Sequence, residues 1–205
     1  MQISLENIGR RFNREWIFRG ITYTFTQDNA YAILGPNGSG KSTLLQILAG
    51  TLSPSEGVLS YQSGAQSIGP EMIFRDVAIA APYLELIEEF SLQELLEFHF
   101  SFKRPLAGHS VSSLISLMKL EKARHKQLKY FSSGMKQRVK LALAIGSDTP
   151  ILLLDEPTSN LDTEGIDWYQ GMIAEFASNR LVFVGSNQAH EYEFCTERLL
   201  IIDYK

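Results

Sequence analysis

The chain lacks the features that mark several whole classes of protein. It has one cysteine, Cys195, in 205 residues. A single thiol forms no intramolecular disulfide and no cysteine-based metal cluster, and it fits a reducing compartment. Long hydrophobic runs are missing as well: the stretch 77–84 around Pro82 and the run 141–145 fall far short of the ~20 apolar residues that span a bilayer. The N-terminus, MQISLENIGRRF, carries charges where a secretory signal needs an apolar core of about 7–15 residues. Neither sign of charge dominates, because 19 basic residues stand against 23 acidic ones for a net charge of -4. Only a loose basic cluster between Lys119 and Lys140 departs from an even scatter, which argues against a broad nucleic-acid or acidic-lipid surface. Internal repeats and low-complexity segments are also absent. What remains is 44% hydrophobic and 20% charged residues, a composition that builds a globular core and excludes a disordered, collagenous or integral membrane chain. At roughly 150 residues per domain, the length predicts one domain with a small insert.

Periodicity gives the organisation. Alternation in QISLENI, the segment 21–25 and the apolar run 31–34 read as strands, and 58–61 and Val77–Ala80 read as two more that complete a β-rich lobe. Between them a glycine-rich turn at Gly35 opens a helix whose apolar face is Leu44, Leu45, Ile47 and Leu48, ended by Gly50. The texture changes from Glu85 to Leu128. Ser91 followed by Glu94 forms a capping box ahead of Leu92, Leu95, Leu96 and Phe98, and a second helix is expected from Ser110. A third helix follows Ser132. The runs 151–154 and 181–184 read as buried parallel strands, and 199–202 as a last strand.

Gly35-Pro36-Asn37-Gly38-Ser39-Gly40-Lys41-Ser42 fits the phosphate-loop pattern GxxxxGK[ST] between a buried strand and a helix. Its glycines let backbone N–H groups turn inward toward phosphate oxygens, and the helix start at Lys41, Ser42 and Thr43 adds partial positive charge. Lys41 is placed to reach the β- and γ-phosphates, and Ser42 to offer its hydroxyl to Mg²⁺. The strand 151–154 ends in Asp155 and Glu156, a pair able to hold Mg²⁺ through water and to orient an attacking water, respectively.

Between these halves stands Phe131-Ser132-Ser133-Gly134-Met135, followed by Lys136-Gln137-Arg138. Here the sequence resembles the ATP-binding-cassette (ABC) family, whose signature has the form LSGGQ. Phosphate loop, helical insert, signature, Asp-Glu strand and the D-loop-like Ser159-Asn160-Leu161-Asp162 occur in the family's order over essentially the whole chain. The resemblance implies an α/β fold of the P-loop NTPase class: a parallel-sheet core, an N-terminal antiparallel β subdomain and a helical subdomain insert. One domain, 1–205, is expected, with 85–131 as the helical part and 1–84 and 132–205 as the rest. It also implies that Ser132 and Gly134 bind the γ-phosphate of ATP held by a second copy, so that a homodimer sandwiches ATP and Mg²⁺. Phe12, or Trp16 nearby, lies where the family stacks an aromatic on adenine; core packing is the alternative for either ring.

Four residues at three places depart from the family pattern. Ser133 and Met135 replace a glycine and the glutamine of the signature, Tyr83 stands where a Mg²⁺-contacting glutamine is usual, and Asn187 replaces a histidine. Asparagine donates a hydrogen bond to phosphate but does not titrate, so Asn187 joins Glu156 and Lys41 as a candidate catalytic group, with His190 as a possible substitute. The expected function is the ATPase subunit of a transporter whose membrane-spanning part is a separate chain, held at the inner, cytoplasmic face of the membrane through that partner. Its docking surface is expected on the insert face with Phe98, His99, Phe100 and Phe102. The alternatives are a slow-turnover ATP-gated regulatory dimer and a soluble ATPase acting on nucleic acid or ribosomes. The size resembles the compact ATPases of export systems.

Overall fold

The computed structural model describes residues 1–205. In chain order the first elements are β1 (Gln2–Phe12), β2 (Glu15–Thr26), β3 (Ala30–Leu34), α1 (Lys41–Leu48), β4 (Glu56–Ser63), β5 (Gln66–Ile68) and β6 (Val77–Ala80). Helices α2 (Leu92–Phe102), α3 (Val111–Leu117) and α4 (Ser133–Ile145) follow. The chain then runs through β7 (Ile151–Asp155), α5 (Thr163–Phe176), β8 (Leu181–Gly185), α6 (Ala189–Tyr192) and β9 (Glu197–Leu200). Two units share these elements: residues 1–79, 149–156 and 179–205 form one, and 80–148 with 157–178 the other.

The first unit holds two sheets. An antiparallel sheet has the order β2-β1-β4-β5, and a five-stranded sheet has the order β6-β7-β8-β3-β9, with β7, β8, β3 and β9 parallel. Alternation in β1 and β2 turns Ile3, Leu5, Ile8, Phe18, Ile21 and Phe25 to one buried face. That face meets the parallel sheet through rings: Phe25 lies edge-on to Tyr31 and to Phe183, each pair with centroids 4.9 Å apart. Each such side chain, fully buried, contributes roughly 1.5–3 kcal/mol. The apolar face of α1, Leu44, Leu45, Ile47 and Leu48, completes this core.

Two strand expectations need correction. Val77–Ala80 does not extend the antiparallel lobe; it is the edge of the five-stranded sheet beside β7, and Val77, Ala78 and Ala80 are all buried, as a strand covered on both faces requires. The final strand stops at Leu200, and Ile201–Tyr204 is a 3-10 turn.

The second unit is helical. Leu92, Leu96, Leu114, Ile115, Met118, Leu128 and Val139 form its core. The capping box at the start of α2 is present as read, with Ser91 accepting from the Glu94 amide and the Glu94 carboxylate accepting from Ser91, and Ser110 with Ser113 repeats the device on α3. Beyond residues 85–131, this unit also takes in α4 and α5. Helix α5 has no counterpart among the elements read from the sequence; Tyr169, Met172 and Ile173 bury its inner face, and the Trp168 indole donates to the Leu117 carbonyl at 2.7 Å. The aromatic face expected at 98–102 is narrower than the sequence suggests. Phe98 and Phe102 are 45% and 77% exposed, whereas Phe100 packs on the core and His99 turns to Ser147 at 2.9 Å. Burial pushes the His99 imidazole down to about 4.

Candidate functional site

Buried strand β3 delivers the chain to Gly35, and six residues later α1 begins at Lys41. The turn between them requires glycine at Gly40, where φ is 109° and an added Cβ would lie 2.5 Å from Ile17 Cγ2. Lys41 is only 5% exposed, and its ammonium donates to the carbonyls of Gly35 at 2.8 Å and Pro36 at 3.4 Å, so the loop is curled around its own cation. A cleft of about 190 Å³ opens here, lined by Asn37, Gly38 and Gly40 of the loop, Lys41, Ser42 and Thr43 of α1, and by Ile17 and Glu156. A helix start leaves amides without intrahelical partners, and the first three residues of α1 all line this space. Ile17 was not singled out in the sequence; it is one apolar residue in a strand full of them, and no local signal marks it.

Strand β7 ends on the two acidic residues. Asp155 is 2% exposed, and Ser42 donates a hydrogen bond to its carboxyl while Oδ1 has no partner. Burial pushes this carboxyl up to about 6; the Ser42 bond works against that shift, Glu156 adds to it, Lys41 opposes it and Glu191 adds to it. Glu156 sits at φ 44°, a left-handed conformation that costs a non-glycine residue roughly 1–2 kcal/mol, with its amide donating to Gly185 at 2.9 Å. The donor set fits Mg²⁺: a hydroxyl beside a buried carboxylate whose Oδ1 is unpaired offers hard oxygen ligands. No group of three or more His, Cys, Asp or Glu residues surrounds them, so a bound ion would complete its shell from phosphate and water.

Asn187, beyond β8, donates from its amide to Asn37 Oδ1 at 3.0 Å and so reaches the phosphate loop. The first unit thus brings together Lys41, Ser42, Asp155, Glu156 and Asn187. Phe12 is not among the cleft's lining residues: it is 46% exposed at the end of the β1–β2 hairpin, with the Arg10 guanidinium 4.6 Å over its ring. Trp16 is half-buried, with Arg19 4.5 Å and Arg11 5.5 Å from its ring. Ser132, Gly134 and Tyr83 belong to the second unit. There Ser132 caps α4 by accepting from the Met135 amide at 3.2 Å, and a Cβ on Gly134 would come 2.9 Å from the Asn160 carbonyl.

Against known protein families, the model described as ABC transporter matches residues 18–159, well over half of the chain. The chain belongs to the ABC transporter family. Among curated ABC relatives, the cytochrome c biogenesis ATP-binding export protein CcmA of Mesorhizobium japonicum is 33% identical, over 85% of this chain and 85% of its own length. The Nod factor export ATP-binding protein I of Burkholderia lata is 29% identical over 98% of this chain and 67% of that protein. Among solved structures, an ATP-binding cassette in a dimeric post-hydrolysis state bound to ADP and Pi superposes with a TM-score of 0.80 at 21% identity, covering 97% of this chain and 93% of that one. In the helical unit Met135 packs against the apolar core, and Gly134 stands where an added Cβ would meet the Asn160 carbonyl.

Proposed function

We propose that this chain is the ATP-hydrolysing subunit of an export system, closing as a homodimer around two Mg-ATP and acting on a separate membrane-spanning subunit. The observation that carries the reading is the convergence of Lys41, Ser42 and Glu156 on one cleft, with the buried Asp155 carboxyl accepting from Ser42 at the end of β7. Lys41 exchanges its loop carbonyls for the β- and γ-phosphates of ATP. Ser42 and Asp155 would hold Mg²⁺, which would supply charge neutralisation along the phosphate chain. Glu156 accepts a proton from the attacking water, and Asn187 donates to the γ-phosphate, where the charge of the reaction develops. Ser132 and Gly134, at the start of α4, meet the same phosphate from the second copy, because one chain carries only one of each half-site.

A separate membrane partner is supported by the helices of this chain, none of which is long and apolar enough to cross a membrane. Phe98 and Phe102, stacked edge-on at 5.2 Å on the helical unit, form the dock for a short helix of that partner. Export is supported by the names of the relatives reported above. Nucleic acid is not a partner in this reading. The decisive experiment is Glu156→Gln. An amide cannot take the proton, so hydrolysis falls by about 10²–10³ while ATP still binds. Sizing chromatography in Mg-ATP then shows a dimer; a monomer under those conditions overturns the sandwich.

A further inference from the structure

Asn187 is exposed, so packing does not hold its side chain, yet its amide meets Asn37 at 3.0 Å. Its position comes from the turn that carries it. Ser186, just before it, is fully buried and its amide donates to the Ile33 carbonyl at 3.3 Å. The Ser186 hydroxyl accepts from the Gln188 amide at 2.9 Å and donates to the carboxylate of Glu191, also fully buried. The Glu191 amide in turn donates to the Gln188 carbonyl at 3.0 Å. A hydroxyl that accepts on one side and donates to a carboxylate on the other is fixed in rotation, and a bond to a charged acceptor is about twice as strong as a neutral one. Burying a carboxylate is costly unless it is hydrogen-bonded, so a glutamate placed there for packing alone is a poor choice.

We infer that Glu191 is the positioning residue of this site, locking the Ser186–Gln188 turn through the Ser186 hydroxyl and thereby aiming Asn187 at the phosphate loop. The inference rests on the reading of Asn187 as a donor to the γ-phosphate. Removing the acceptor releases the hydroxyl and lets the turn shift, and displacements of this kind cost up to about a hundredfold in rate.

The test compares Glu191→Leu, Glu191→Gln and Ser186→Ala, each with and without Asn187→Ala. Expected are a fall in kcat of about tenfold or more in Glu191→Leu and Ser186→Ala with KM for ATP little changed, and recovery in Glu191→Gln, whose amide oxygen still accepts. In the Asn187→Ala background the same changes add nothing further. Losses that simply add, or a Glu191→Gln as slow as Glu191→Leu, overturn the inference; the second result assigns Glu191 to the charge it exerts on Asp155. A readout independent of turnover is the pair of Asn187 side-chain amide resonances, identified by its loss in Asn187→Ala. It shifts in Ser186→Ala and Glu191→Leu and stays in place in Glu191→Gln; unmoved resonances in all three overturn the positioning role. If Asn187→Ala leaves kcat unchanged while these resonances respond as expected, the donor reading of Asn187 falls and the positioning of the turn stands.

Discussion

An ammonium as deeply placed as that of Lys41 is stable only when acceptors surround it, and the Gly35 and Pro36 carbonyls supply them. The loop is therefore shaped before nucleotide arrives, and its glycines are under unequal demand. Gly40→Ala meets both the positive φ, worth about 1–2 kcal/mol, and the Ile17 methyl at 2.5 Å. Gly38→Ala meets only the φ of +75°, since nothing lies within 4 Å of its missing Cβ. Thermal unfolding with and without Mg-ATP is expected to rank Gly40→Ala as the less stable and the weaker binder; the reverse order contradicts the loop geometry. At this scale the phosphate loop and the Asp155-Glu156 pair were legible because their spacing is itself the chemistry. Ile17 and Glu191 were not, since only the tertiary fold brings the one to the cleft and buries the other.

Helix α2 was readable from Ser91, Glu94 and the leucines Leu92, Leu95 and Leu96, because cap and apolar face are local signals. Helix α5 was not, although Asp162 caps it by accepting from the Gly165 amide at 2.8 Å. Gly165 and Gly171 weaken its local preference by roughly 1 kcal/mol each relative to alanine, and burial of Tyr169, Met172 and Ile173 overrides that deficit. Sheet membership was the other loss, because nothing local tells Val77–Ala80 which sheet it joins. The two glycines of α5 separate propensity from packing. A Cβ at Gly171 meets nothing within 4 Å, so Gly171→Ala is expected to stabilise by about 0.5–1 kcal/mol. At Gly165 it would sit 2.9 Å from Leu161 Cβ and 3.1 Å from the capping Asp162 oxygen, so Gly165→Ala is expected to destabilise. Urea midpoints of the two variants, moving in opposite directions, check both statements.

Across the whole molecule, the two units carry buried groups whose titrations oppose each other. Asp155, in the first unit, rises from 3.8 to about 6 on folding, mainly through burial. Its folded form holds a proton more tightly than the unfolded chain, so its contribution is greatest at low pH and is lost as pH rises from about 4 to 6. Each tenfold gain in proton affinity is worth about 1.4 kcal/mol, which puts the loss at about 3 kcal/mol. His99, in the second unit, falls from 6.5 to about 4, again mainly through burial. Here the unfolded chain binds the proton more tightly, so stability is lost as pH falls through the same window. Asp155→Asn and His99→Gln remove one contribution each, and differences from the parent chain isolate them from every other group. For nucleotide-free protein unfolded in urea between pH 4.5 and 7, the Asp155→Asn variant is expected to gain stability relative to the parent as pH rises. The His99→Gln variant is expected to gain relative to the parent as pH falls. Because the groups lie in different units, the transition is to be followed by two probes, and a departure from one cooperative step assigns each pH effect to its own unit. A flat difference curve for Asp155→Asn would mean that its carboxyl is already ionised in the empty cleft, and that folding leaves its proton affinity where the unfolded chain has it.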